Sequence, residues 1–225
     1  MSSTARGTTR EASDYYKTPL APIAAFLKAW QEDLGGGGHK FFKVLDPCAG
    51  GDAENEMSYP TALKQSDILA PNARITTVDL RQDSRAEIKT DFLNWTCQPK
   101  SFDLIISNPP FTLAHKFITK SLELSSQYVV MLQRLNFFGS NQRLGFFHNN
   151  MPRWCYVNSE RISFTTPLLE RWLKSKGAVS KKGQDSIEYA HFVWDVNYKP
   201  RFTQLRVVSQ KLSVGNHALF GQEML

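Results

Sequence analysis

Asn108-Pro109-Pro110-Phe111 stands directly after the run Phe102-Asp103-Leu104-Ile105-Ile106-Ser107. Such a run reads as a buried strand, and two prolines end it because neither can donate to a ladder. The prolines also fix the backbone, so an amide and an aromatic ring stand at the C-terminal edge of a sheet. In open α/β sheets that edge is where ligands bind. The chemistry this suits is methyl transfer to an amino nitrogen conjugated with a ring or a carbonyl. Such a nitrogen is a poor nucleophile because its lone pair is delocalised. Two acceptors on its N–H groups, the Asn108 side-chain oxygen and the Pro109 carbonyl, would aim that lone pair at a methyl donor. Phe111 would stack on the planar substrate. A polar turn before Pro-Pro can equally do no more than end a strand, so the order of the neighbouring motifs decides.

Stepping outward from the tetrapeptide, the spacing predicts a helix over Pro19 to Glu32, with proline at its start where a missing N–H costs little. Gly35 to Gly38 form a break. Phe41 to Leu45 is a first strand, ending in Asp46-Pro47-Cys48-Ala49-Gly50-Gly51-Asp52, and a helix starts near Pro60 and runs through Lys64. Arg74 to Val78 is a strand ending at Asp79; a short strand near Ala86 to Lys89 ends at Asp91. Leu113 to Leu124 has helical period, and Gln127 to Leu132 is apolar enough for a buried strand. Strands alternating with helices mean right-handed crossovers and a doubly wound, mainly parallel sheet. Arg161 to Phe164 and Glu188 to Asp195 are expected to close it as an antiparallel pair. The expected architecture is therefore Rossmann-like α/β, a seven-stranded sheet with an antiparallel closing strand. Residues 1–13 read as a disordered tail, 14–198 as the domain, and 199–225 as a basic extension.

With 225 residues the chain can bury a substantial core, and no uncharged apolar stretch approaches the length needed to span a bilayer. The polar N-terminus lacks a signal-peptide core, and three scattered cysteines form no disulfide framework. Both point to a cytoplasmic location, bacterial or in a phage-infected host. The five histidines are isolated and show no metal-ligand spacing, so no metal is expected. Net charge is +6 but uneven. Residues 1–110 carry 12 Lys/Arg against 14 Asp/Glu, and residues 111–225 carry 15 against 7. A basic half is the electrostatic footprint of a polyanionic partner, although an ordinary soluble basic surface has the same composition.

On these motifs the chain resembles the small class I S-adenosylmethionine-dependent adenine-N6 DNA methyltransferases of phage and bacterial type. The resemblance runs from about Tyr16 to Asp195. Tyr16-Lys17-Thr18-Pro19 looks like the family's N-terminal motif, which lies near the cofactor's methionine end. Asp46 to Gly51 looks like its first cofactor motif, Asp79 the acidic residue after the second strand, Asp91-Phe92 the pair after the third, and Asn108 to Phe111 the catalytic tetrapeptide. The resemblance implies that Tyr16, Lys17, Thr18, Asp46, Pro47, Cys48, Ala49, Gly50, Asp79, Asp91, Phe92 and Asn108 bind S-adenosylmethionine. Asp79 would take the ribose hydroxyls, Asp91 the adenine amino group, Phe92 the adenine ring, and Asp46 the ammonium or sulfonium. Glycines at 50 and 51 let backbone approach a ligand. The dinucleotide fingerprint GxGxxG is absent, as suits a cofactor without pyrophosphate. No general base is needed, because a methylated amino group is acidic enough to lose its proton to water.

Two features depart from the family's pattern. Asp52 stands where relatives often have glycine. Only 16 residues separate Asp91 from Asn108, so no target-recognition domain is inserted there. Any reading of sequence must come from later segments: the polar stretch around Arg143, and Thr165 to Gln184 with Arg171, Lys174, Lys176, Lys181 and Lys182. Such residues suit phosphate contacts, which position without specifying. So little apparatus implies a short target site or weak preference. The expected partner is DNA, with RNA as the rival polymer. A glutamine-N5 protein methyltransferase fits less well, since only about 40 residues precede the first strand and that class usually has a larger helical domain there. A non-catalytic nucleic-acid-binding subunit would have no reason to keep the intact tetrapeptide. Cytosine-N4 enzymes more often carry serine in place of Asn108. Oligomeric state and target sequence are not legible.

Overall fold

The computed structural model describes residues 16–165, 175 and 187–211. Among them eight strands form one sheet in the order β3-β2-β1-β4-β5-β7-β6-β8. The strands are β1 (Phe41–Asp46), β2 (Leu69–Asp79), β3 (Ile88–Lys89), β4 (Phe102–Ser107), β5 (Ser125–Arg134), β6 (Trp154–Asn158), β7 (Tyr189–Asp195) and β8 (Gln204–Val208). The helices are α1 (Leu20–Asp33), α2 (Ser58–Lys64), α3 (Ala114–Leu124) and α4 (Leu144–Asn149), with 3₁₀ turns at Leu135–Phe138 and Asn141–Arg143. Only β7 runs against its neighbours. The expected mainly parallel, Rossmann-like sheet is present, with eight strands rather than seven.

Side-chain alternation along β4 explains why this strand is apolar throughout. Leu104 and Ile106 face the cluster built on Ile23, Phe26, Leu27 and Trp30 of α1, whereas Ile105 faces Phe117 and Ile118 of α3. A strand buried on both faces has no room for a polar stripe. Its one carboxylate, Asp103, is buried because its two oxygens accept from the backbone N–H groups of Phe42 and Lys43, at 2.7 and 2.9 Å. The β1–β2 register slips between Phe41 and Lys43. The slip accommodates Pro71 near the start of β2, a strand that begins five residues earlier than its apolar pattern suggests.

One expectation about the tail is corrected: besides β5, the strand that pairs with β7 is Trp154–Asn158, not residues 161–164. Chain direction changes after Asn158, and Glu160 is held by Ser209 and Gln210. The Phe164 ring meets Tyr189 edge-on at 4.9 Å, and Thr165 pairs with Lys17 as an isolated bridge. Within the basic extension beyond residue 198, Gln204–Val208 pairs in parallel with β6. Arg206 fastens that strand to α1 through Asp33 and Glu32, at 2.9 and 2.6 Å. No helix among the described residues is long and apolar enough to cross a membrane.

Candidate active site

Strand order reverses between β1 and β4, and this crevice is where an open α/β sheet binds ligands. Asp46 ends β1 and Ser107 ends β4, both fully buried. Ser107 Oγ donates to Asp46 Oδ1 at 2.6 Å, and the Cys48 N–H donates to the same oxygen at 3.1 Å. Asp46 Oδ2 has no partner although it is buried. Burial is the main reason the Asp46 carboxyl is pushed up to about 7; its two hydrogen bonds pull the other way, and Asp79 adds a further upward push. A buried carboxylate with one unsatisfied oxygen fits a cationic group arriving from the crevice.

The loop after Asp46 is a set of backbone donors folded around carboxylates. Asp79, at the end of β2, accepts from the Gly50 N–H and the Arg81 N–H, both at 2.8 Å. Gly50 and Gly51 have φ of 66° and 72°. A Cβ on Gly51 would stand 2.9 Å from Met57 Cγ and 3.2 Å from the Asn55 carbonyl, so this turn admits only glycine. Asp52 closes the loop: its Oδ1 accepts from the Glu54 and Asn55 N–H groups at 2.8 Å. The Cys48 thiol is pushed up by burial and by the carboxylates of Asp79, Asp46 and Asp91. Acidic ends of three neighbouring strands therefore gather around one loop. Ala49 joins it to β2 through the Val78 carbonyl, and Pro47 is buried beneath it.

Asp91 and Phe92 are placed differently. Asp91 accepts from the Leu93 N–H at 2.9 Å and from Asn94 Nδ2 at 2.7 Å, capping its own turn. The Phe92 ring is buried against Phe117, with the Lys120 ammonium 5.2 Å from its centre.

The N-terminal motif reaches both halves of the crevice. Lys17 Nζ donates to Asn55 Oδ1 at 3.0 Å, on the glycine loop. Thr18, buried, accepts from Asn108 Nδ2 at 3.0 Å, ninety residues along the chain. Tyr16 is 41% exposed. With Nδ2 committed to Thr18, Asn108 Oδ1 is left buried and without a partner. Phe111 is half-buried; Tyr189 lies 5.6 Å from its ring centre, Phe164 6.5 Å, and the Arg134 guanidinium 5.1 Å. Pro109 is buried and Pro110 exposed, and the Pro110 carbonyl receives Leu113 N–H to start the turn into α3.

The structure thus brings Lys17, Thr18, Asp46, Gly50, Asp79 and Asn108 to one rim. It adds residues that sequence reasoning missed. Ser107 had a visible signal, since it precedes Asn108 on a strand facing Asp46. Arg134 and Tyr189 had none, because their meeting depends on the antiparallel register that sets Arg134 opposite Tyr189. Of the expected nucleic-acid contacts, Arg143 spends Nε on the Phe137 carbonyl at 2.7 Å and covers the Phe137 ring, clamping its own turn. Arg171, Lys174, Lys176, Lys181 and Lys182 lie outside the described residues. An open cavity of about 450 Å³ between α2 and β2, lined by Met57, Pro60, Leu69 and Ile75 among others, shares no residue with this rim. No cluster of three or more His, Cys, Asp or Glu side chains suited to a metal ion occurs among the described residues.

Comparison with solved structures shows the fold to be that of the class I S-adenosylmethionine-dependent methyltransferases. A protein assigned to that class from Listeria monocytogenes superposes with a TM-score of 0.56 at 14% identity, over 88% of this chain and 67% of its own. An S-adenosylmethionine-dependent O-methyltransferase from Thermotoga maritima gives 0.44 at 9% identity, over 79% of this chain and 66% of its own. No protein-family model matches the sequence, and no curated protein matches it.

Proposed function

We propose that this protein is an S-adenosylmethionine-dependent methyltransferase acting on the N6 amino group of adenine in DNA, with a short target site or weak sequence preference. The observation that supports it best is the buried, unpartnered Asn108 Oδ1, three residues before the half-buried Phe111. A buried acceptor left unsatisfied costs about 1–3 kcal/mol, so a fold that keeps one has a donor in prospect. An amino group on a planar ring supplies that donor and a face for Phe111.

Cofactor binding falls to the other half of the rim. The Asp46 carboxylate suits the ammonium or sulfonium, Asp79 suits ribose hydroxyls, and the Gly50-Gly51 backbone leaves room for close approach. When bound, S-adenosylmethionine supplies an electrophilic methyl group. Asn108 and the Pro109 carbonyl orient the target nitrogen by accepting its two N–H bonds, and Thr18 holds the amide so that its oxygen, not its nitrogen, faces the substrate. No protein base is required, because the methylated nitrogen releases a proton to water. A duplex cannot present the amino group to this crevice, so the adenine must leave the stack, at a cost of a few kcal/mol.

The test is to incubate the protein with labelled S-adenosylmethionine and, separately, duplex DNA, single-stranded DNA, structured RNA and bulk protein, then digest and identify the labelled product. N6-methyladenine from DNA is expected. Label only in RNA or in protein, or no transfer to any of the four, overturns the reading.

A further inference from the structure

Arg134 ends β5 beside the catalytic strand and opposite Tyr189. Its guanidinium lies over the Phe111 ring, 5.1 Å from the centroid. Its Nε is buried and has no hydrogen-bond partner. Among the described residues no carboxylate pairs with it: the ion pairs are those of Arg74, Arg81, Arg153 and Arg206. An aromatic face attracts a guanidinium but does not replace the hydrogen bonds of a desolvated Nε–H. A planar fork of donors with none of them spent is the geometry that recognises an oxyanion such as phosphate.

We propose that Arg134 is the residue through which the target strand's own phosphodiester is gripped, and that this grip uncovers Phe111. The inference rests on the nucleic-acid reading above. In the free protein the flat cation lies over the ring that is to receive the base. The phosphate flanking the extruded nucleotide offers two oxygens in the plane of the fork, satisfies Nε, and draws the guanidinium off the ring as the base arrives. Substrate binding and pocket opening are then one event, and a free nucleobase, lacking the phosphate, leaves the ring covered.

The test compares wild type with Arg134→Ala and Arg134→Lys on an oligonucleotide containing one target adenine. Two further oligonucleotides carry a single neutral methylphosphonate, immediately 5′ or 3′ of that adenine. One of the two is expected to raise the wild-type KM about ten- to hundred-fold, the range of one charge-assisted contact. Arg134→Ala raises KM on native DNA by a similar factor, with kcat within about three-fold of wild type, and shows no further rise with that methylphosphonate. Arg134→Lys, a point charge without the planar fork, recovers part of the KM and keeps part of the methylphosphonate effect. A residue that only packs on Phe111 would leave the methylphosphonate effect the same in wild type and variants, and that result overturns the inference, as does an unchanged KM in Arg134→Ala. Should Arg134→Ala fail to fold, Arg134→Lys carries the comparison. Absence of methyl transfer to any oligonucleotide by wild type would instead sink the nucleic-acid reading and this inference with it.

Discussion

Ser107 Oγ donates to Asp46 Oδ1 at 2.6 Å across the crevice where the strand order reverses. The bond holds a carboxyl that burial pushes up to about 7 from 3.8. The folded protein therefore keeps a proton that the unfolded chain gives up above about 4, and the contribution of this one group to stability falls as pH rises from about 4 to about 7. Asp46→Asn, neutral throughout, is expected to lack this loss. Thermal melts of wild type and variant at half-unit pH steps check it, and parallel curves would contradict the account. Affinity for S-adenosylmethionine, measured by calorimetry, should strengthen in wild type as pH rises through 7 and the carboxylate becomes charged.

Asn108→Ala removes the unpartnered acceptor and is expected to abolish methyl transfer while leaving S-adenosylmethionine affinity within a few-fold of wild type. Thr18→Val removes only the contact that orients the amide. Its turnover should drop about two- to ten-fold, the worth of one neutral hydrogen bond. Steady-state kinetics on both variants would show whether the two effects separate by this margin.

Gly51→Ala brings a Cβ within 2.9 Å of Met57 Cγ at a φ of 72°. Strain of both kinds is expected to cost about 1–3 kcal/mol in denaturant unfolding. Gly36→Ala is the control for φ alone: its φ of 66° is also positive, but nothing lies within 4 Å of the added carbon. The Gly51 variant should be the less stable of the two.

His191 sits fully buried on β7, stacked on Phe26 at 4.2 Å, with Nε2 3.0 Å from the Tyr59 hydroxyl. Burial lowers its pKa to about 3. It stays neutral in the fold, while the unfolded chain takes up a proton below about 6.5. The contribution of His191 to stability is therefore lost as pH falls from about 6.5 towards 3, opposite in sign to that of Asp46. The double variant Tyr59→Phe/His191→Phe replaces both partners with apolar rings and should flatten this acid limb, read as unfolding midpoints between pH 3 and 7.

Much of this architecture was legible because local chemistry and tertiary role agree. Phe102 to Ser107 is apolar on both faces of a central strand, so its pattern needs no partner to be recognised. Asp46 and Asp79 could be placed at strand ends because glycine or a polar turn follows each. Arg161 to Phe164 alternates as a strand does, yet Phe164 is drawn to the Phe111–Tyr189 cluster instead. Gln204 to Val208 falls in the stretch that reads as a basic extension, and its strand carries little apolar signal because an edge strand hides only one face, leaving Leu205 and Val207 largely exposed. At the rim, the aspartate of Asp91-Phe92 was legible but not its engagement: its oxygens cap the local turn. Arg134 escaped because cation and ring come from strands whose adjacency no local signal encodes.

Arg206 joins β8 to Glu32 and Asp33 of α1, 174 and 173 residues earlier in the chain. During vectorial synthesis the central strands emerge from the ribosome long before this clasp can form. Until β8 arrives, β6 has one unpaired edge, and α1 lacks its cationic tether. Nascent chains paused short of residue 208 should thus be more protease-sensitive at α1 than chains paused beyond it, a dependence of early segments on late ones that slows folding in proteins dominated by distant contacts.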